Sequence, residues 1–212
     1  MRLHRSDVLA GAMAMLETDG LDKLTMRRLA GVLSVQPSAL YWHFAHKQAL
    51  LDAMSERLME GVGDVDPDQP GLDRLAELAW RLRTALMSHR DGARVVSGTY
   101  VREPNTLRVG QVAIQAVIAA GAPQEEAALA AFALLHFVFG HTIEEQARDE
   151  LVARGAWQEH TVDIDAREYP DVGPALDALT ATDSAERFRY GVRLILDGLA
   201  ARIGSTTGAT GL

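Results

Sequence analysis

Thr25-Met26-Arg27-Arg28-Leu29-Ala30-Gly31-Val32-Leu33, then Ser34-Val35, then Gln36-Pro37-Ser38-Ala39-Leu40-Tyr41-Trp42-His43-Phe44, is the stretch on which the fold turns. Thr25 is a helix-capping residue type. Met26, Leu29, Ala30 and Leu33 follow it at helical spacing. Ser34-Val35 leaves room only for a tight break, and Pro37 sits where the first turn of a new helix tolerates a missing N–H. Two short helices joined this way are a helix-turn-helix. In that motif the second helix enters the major groove of DNA and the first braces it across the backbone.

The residues suit that task. Leu29, Val32, Val35 and Leu40 are spaced to form a small core between the two helices. Ser38, Ala39, Tyr41, Trp42 and His43 remain for the outer face, with Gln36 and Pro37 at its entry. Small residues at the start of the second helix let it approach base edges. Tyr41, His43 and Lys47 can donate hydrogen bonds to phosphates, contacts that set register. Arg27 or Arg28 can reach a guanine, the commonest specific contact of an arginine. With the capping Thr25, these residues form the candidate DNA-binding set. The competing reading makes Tyr41, Trp42 and Phe44 core aromatics of a helical bundle. So short a helix cannot bury three aromatics and a histidine on every side, so Phe44 is assigned inward and the others outward.

Outward from this stretch, Gly and Pro cut the chain into further helices. Ser6 is a candidate cap for a helix carrying Val8, Leu9, Ala12, Met13, Met15 and Leu16, stopped at Asp19-Gly20. A longer helix runs from His46 to about Gly63. The Asp-, Pro- and Gly-rich segment 64–71 is the expected boundary. Helical patterns resume over 72–89, 105–120 and 124–151. Residues 153–171 read as a loop, 174–179 as a short helix and 184–203 as the last one. No alternating pattern of useful length is present. The fold class is therefore all-α: a three-helix DNA-binding domain (1–47), a connecting helix (48–63), a ligand-binding and dimerisation domain (64–204) and a flexible tail (205–212).

The 212 residues carry a net charge of −8, unevenly spread. Residues 1–47 hold six Lys/Arg against four Asp/Glu, and the remainder holds fifteen against twenty-five. A modestly basic head can approach phosphates while the acidic remainder stays away. The absence of cysteine excludes disulfides and thiolate metal sites, and fits a reducing cytoplasm. No secretory pattern opens the chain, and no uninterrupted apolar run reaches the ~18–20 residues of a membrane span. A cytoplasmic protein without cofactor, metal or membrane partner is expected.

The combination of Thr25 through Val35, Ala39-Leu40-Tyr41-Trp42-His43-Phe44 and Lys47-Gln48-Ala49-Leu50-Leu51 resembles the DNA-binding domain of the tetracycline-repressor (TetR) family. Ser88 through Val95, Gly98-Thr99, and His136-Phe137 through Ile143-Glu144-Glu145-Gln146 are similar to the regulatory domain of that family's tetracycline-repressor subgroup. The resemblance implies about ten helices, a homodimer on a palindromic operator, and release of DNA when a small molecule binds. Two departures stand out. Ser34 occupies a turn position where the family usually has glycine; serine serves if its backbone avoids the left-handed region, and otherwise costs stability. Thr99 and Glu144 match polar groups that hold drug and magnesium in the subgroup, but Val62 or a neighbour, Leu78 and Val96 stand at its other ligand positions. An effector other than tetracycline–magnesium follows.

The resemblance also implies that helices 124–147 and 184–203 pair with their copies across a two-fold axis. Phe188, Val192, Ile195, Leu196 and Leu199 supply an apolar face on the last helix, which could instead pack only within its own subunit. The expected effector pocket is mostly apolar with a few orienting polar groups: Trp80, Met87, Thr99, Leu107, Gln111, Gln115, Phe132, His136, Phe139 and Glu144. His141, Glu144 and Glu145 lack a second histidine at metal-binding offset. A repressor is the function implied. The alternatives are a helical enzyme, against which stand the missing HExxH, phosphate loop and local nucleophile–base pair, and an interaction module without specific DNA binding.

Overall fold

The computed structural model describes residues 3–99, 103–157 and 165–209. Among them every regular element is helical: α1 (Arg5–Asp19), α2 (Met26–Val32), α3 (Pro37–Tyr41), α4 (Lys47–Leu58), α5 (Gly71–Met87), α6 (Gly92–Ser97), α7 (Pro104–Ala119), α8 (Gln124–Ala153), α9 (Val172–Ala181) and α10 (Ser184–Ala209), with a 3-10 turn over Leu21–Lys23. The all-α reading holds.

By contacts the chain divides into Met1–Ile143 and Glu144–Leu212. In the first unit α1 packs on α2 and α4, α2 on α3, α4 on α6 and α7, and α5 on α6 and α7. Segment 64–71 is therefore a loop within one packed unit, because α4 before it lies against α6 and α7 after it. Gly71 shows how tightly the pieces meet. A Cβ there would stand 2.3 Å from the Ala116 carbonyl oxygen, so only glycine lets the start of α5 touch the end of α7. In the second unit, Asp183 caps α10 by accepting from the Glu186 N–H at 2.8 Å. Arg187 donates to the Leu179 and Thr182 carbonyls, tying the end of α9 to the start of α10.

Several local expectations differ. The cap of α1 is His4 rather than Ser6, because Asp7 accepts from the His4 N–H at 2.8 Å. Val32 is not core: it is α2's last residue and 61% exposed, since the chain turns away before anything covers it. Leu29, Leu40 and Phe44, each at most 2% exposed, carry that core instead. Helix α6 has no counterpart in the sequence reading. It is one short piece of Gly-Ala-Arg-Val-Val-Ser, too brief and too β-branched for periodicity to show. Helix α10 continues through Ala209, past the expected end at 203, while 210–212 of the expected tail lie outside the described residues. Residues 158–164 of the expected loop also lie outside them.

Two apolar helices need correction. Helix α8 contains an 18-residue window of mean hydropathy 1.5, enough by length and composition to cross a membrane. Counting only uninterrupted apolar residues missed it, because isolated polar residues barely lower the average. On α10, Phe188, Val192 and Leu196 are buried within the single chain, so they are not free for a partner, whereas Tyr190 and Leu194 are exposed.

Candidate nucleic-acid interface

Backbone capping sets the reading head. Thr25 Oγ1 accepts from the Arg28 N–H at 3.2 Å and starts α2. Gln36 precedes α3 in extended conformation and Pro37 is its first residue. Beyond α3, the His46 ring accepts from the Ala49 N–H at 3.1 Å and starts α4, which places Lys47 in the first turn. The outer side of this assembly presents Arg27, Gln36, Pro37, Ser38, Tyr41 and Trp42 to solvent, with Ala39, His43 and Lys47 half-buried. Trp42 is 88% exposed and Tyr41 50%, whereas Phe44 is buried beneath the Arg5 guanidinium, 4.6 Å from its ring centroid. An indole this bare gains nothing for the fold, and its polar N–H and apolar face are available to a partner.

The two arginines of α2 differ. Arg28 is held by Asp19 at 2.7 Å. The Arg27 guanidinium makes no ion pair or hydrogen bond among the described residues. Ser34, between the helices, has φ 54°. It does adopt the left-handed conformation that glycine accepts freely, the costlier of the two alternatives open to it.

The head is fastened to the rest of its unit at the start of α6. Asp91, itself left-handed at φ 55° and buried, accepts from the Leu21 N–H at 2.8 Å and from Arg94 at 2.9 Å. Arg94 also donates to Asp22 at 2.7 Å. Bonding to Asp22, and then to Asp91, raises the Arg94 pKa beyond its ordinary value despite partial desolvation. Glu17 accepts from the Arg90 N–H at 3.2 Å and meets His89 Nδ1 at 2.7 Å. Sequence reasoning quoted Ser88 through Val95 only for its resemblance and assigned none of these contacts, because the partners that join the head to α6 lie about seventy positions apart and no local pattern marks them.

The expected pocket residues are less gathered. An open cleft of about 360 Å³ is lined by residues 60–62, in the turn after α4, and by one face of α5 through Ser88, and of the expected set it contains only Trp80. Leu107, Gln111 and Gln115 form one exposed face of α7, and Phe132, His136 and Glu144 are exposed on α8. Phe132 and His136 lie with ring centroids 6.0 Å apart. Met87 and Phe139 are half-buried. Thr99 is half-buried and its hydroxyl is already engaged, 3.0 Å from Ser55 Oγ. Val62, Leu78 and Val96 are all buried, as apolar residues should be. No group of three or more metal-ligating side chains occurs among the described residues.

Comparison with known proteins agrees with this geometry. Residues 8–54 match the family described as bacterial regulatory proteins, tetR family, and residues 66–203 the tetracyclin repressor-like C-terminal domain. The chain is similar to the class A tetracycline repressor protein from transposon 1721 of Escherichia coli, 34% identical over 95% of this chain and 92% of that one. Among solved structures it resembles a possible TetR family transcriptional regulator from Streptomyces coelicolor A3(2), with TM-score 0.82 and 41% identity over 93% of this chain and 99% of the other. It also resembles BioQ crystallised with its natural double-stranded DNA operator, with TM-score 0.74 and 32% identity over 94% and 99%.

Proposed function

The chain belongs to the TetR family of DNA-binding transcriptional regulators, and from that premise we propose that it is a repressor that grips a palindromic operator as a homodimer and lets go when a small, weakly polar effector binds. It is a regulator and not an enzyme. The observation that carries the DNA-binding part is the exposed face of α2, α3 and the turn after it, above all the bare Trp42 and Arg27, which is unpaired among the described residues. A dimer sets two such faces against the two halves of an inverted repeat. Its expected partners are the copies of α8 and α10, whose exposed Leu129, Phe132, Tyr190 and Leu194 favour a protein neighbour over water.

The effector is argued from what has been lost. Buried Val62, Leu78 and Val96 offer no oxygen or nitrogen to a hydrated magnesium–drug complex, and an unpartnered polar group facing them would cost ~1–3 kcal/mol. An apolar ligand oriented by Thr99, His136 or Glu144 fits better. Binding must favour the non-operator state to release DNA; a tenfold loss of operator affinity needs a coupling of only about 1.4 kcal/mol. Helix α4 is the element expected to move, since it joins the head to α6 and α7.

The test is a gel shift on the intergenic DNA beside the chain's own reading frame, with bulk competitor and a salt series. Specific retention that weakens steeply with salt is expected. Retention no better than competitor DNA overturns the regulatory reading. Adding tetracycline with magnesium should leave the shifted band in place; its release would overturn the effector argument.

A further inference from the structure

Between α1, α4 and the start of α7 lies a polar cleft of about 280 Å³, lined by none of the residues expected to hold the effector. Its charges are mixed: Glu56, Arg57 and Glu60 come from α4 and the turn after it, Arg5 from the start of α1 and Glu103 from just before α7. Leu9 and Ala53 give it an apolar part. Most of the charges are already engaged. Arg57 pairs with Glu60 at 2.8 Å. The Glu56 carboxylate accepts from the N–H groups of Asn105 at 2.8 Å and Thr106 at 3.3 Å. Those are first-turn donors of α7, which have no partner within their own helix. Glu103 stands where a side chain could cap them, yet it makes no capping bond while Glu56 holds the donors. Its carboxylate is left exposed, with no hydrogen bond or ion pair among the described residues. Arg5 is its counterpart. The Arg5 guanidinium lies 4.6 Å from the Phe44 ring centroid and makes no hydrogen bond or ion pair among the described residues.

An unpaired cation and an unpaired anion thus border one cleft without meeting each other. A purely anionic ligand would face three carboxylates there, and a purely cationic one two guanidiniums; like charges brought together reject a ligand. A molecule carrying both charges meets a partner for each. A carboxylate accepts two parallel N–H bonds from a guanidinium, and an ammonium donates to a carboxylate. We propose that this cleft binds a small zwitterion of the amino-acid class, its carboxylate on Arg5, its ammonium on Glu103 and its apolar carbons on Leu9 and Ala53. The site is separate from the expected effector pocket and does not depend on the regulatory reading above.

The test is a calorimetric titration of the full chain with L-leucine, and with 4-aminobutanoate and 6-aminohexanoate, whose two charges stand farther apart. At least one should bind with a Kd of about 1 mM or tighter, within reach of so small a ligand. Two blocked forms of the best binder separate its charges: the N-acetyl derivative lacks the ammonium, and the methyl ester lacks the carboxylate. Each should bind about tenfold more weakly or worse. Variants then assign the partners. Arg5→Gln should bind the free acid and its ester alike, and Glu103→Gln the free amine and its N-acetyl form alike, since each variant lacks the group that tells the two apart. Both side chains are exposed, so melting temperatures should stay near the wild-type value. Should Arg5→Gln unsettle the Phe44 contact, Glu103→Gln tests the site from the other wall. Backbone amide shifts should centre on residues 5–9, 53–60 and 103–106. No binding by any of the three at about 10 mM, blocked forms that bind as well as their parent, or variants that keep the discrimination would each overturn the proposal. Shifts centred on Trp80 would do the same, placing the ligand in the cleft along α5 instead.

Discussion

Arg27 holds a guanidinium that is unpaired among the described residues on the outer side of α2, while its neighbour Arg28 is engaged by Asp19. Arg27→Ala is therefore expected to weaken binding to the intergenic fragment by about 1–3 kcal/mol if it reads a base, or to lower the salt slope by about one if it neutralises a phosphate. Either shows in a salt titration by fluorescence anisotropy, and an unchanged isotherm would remove Arg27 from the interface. The aromatics separate the same way. Trp42→Ala should leave the melting temperature in place and reduce fragment binding, whereas Phe44→Ala should cost about 3–5 kcal/mol of stability by opening a core cavity. Ser34 offers the reverse sign. A left-handed L-residue is strained by ~1–2 kcal/mol, and glycine returns ~0.4–1 kcal/mol of that as unfolded-chain entropy. Ser34→Gly should thus stabilise the chain by a net of between about zero and about 1.6 kcal/mol in a urea titration. Lower stability would mean that the turn holds Ser34 without strain.

At the scale of elements, close approach rather than propensity joins the pieces. The start of α5 sits on the last turn of α7 at Gly71, where a methyl group would press on the Ala116 carbonyl and the Ala120 N–H. Gly71→Ala should destabilise by about 1–3 kcal/mol, the usual cost of forcing backbone apart, visible as a lowered urea midpoint with an unchanged slope. The long helices and the reading head were legible because their evidence is local: a cap at Thr25, Pro37 in a first turn, and apolar residues at helical spacing. Trp42's exposure and Phe44's burial followed from counting how many aromatics so short a helix can cover. What was not legible depends on partners far along the chain. Helix α6 is held by Asp91 and Arg94 against Leu21 and Asp22 rather than by its own sequence. Val32 has the right spacing for a core but stands where α2 ends. The candidate pocket residues share a composition with any apolar helix face, so spacing could not say which of them surround a common space.

At the scale of the whole molecule, the open matter is what covers the apolar residues that a single chain leaves in water. Leu129 is 74% exposed and Phe132 45%, three residues apart on α8; Tyr190 and Leu194, four apart on α10, are 60% and 56% exposed. Each pair lies on one side of its helix. A membrane is one possible cover for α8, but α10 carries Arg189, Arg193, Asp197 and Arg202 beside its exposed apolar pair, a mixture suited to a protein neighbour with a polar rim. A second copy is the cover proposed above for each helix, and a closed two-fold pair is the commonest oligomer. Leu194→Glu places a charge in that contact, where burial without a partner is costly. The wild-type chain should elute at twice its 23.0 kDa mass by light scattering, and the variant at or near that mass. The variant's head should stay folded, so that its weak, salt-sensitive affinity for bulk DNA survives while its grip on an inverted repeat falls steeply, since two linked heads bind far more tightly than one. A variant that stayed dimeric, or a monomer that held the inverted repeat as tightly as the wild type, would show that this face of α10 is not what joins the two reading heads.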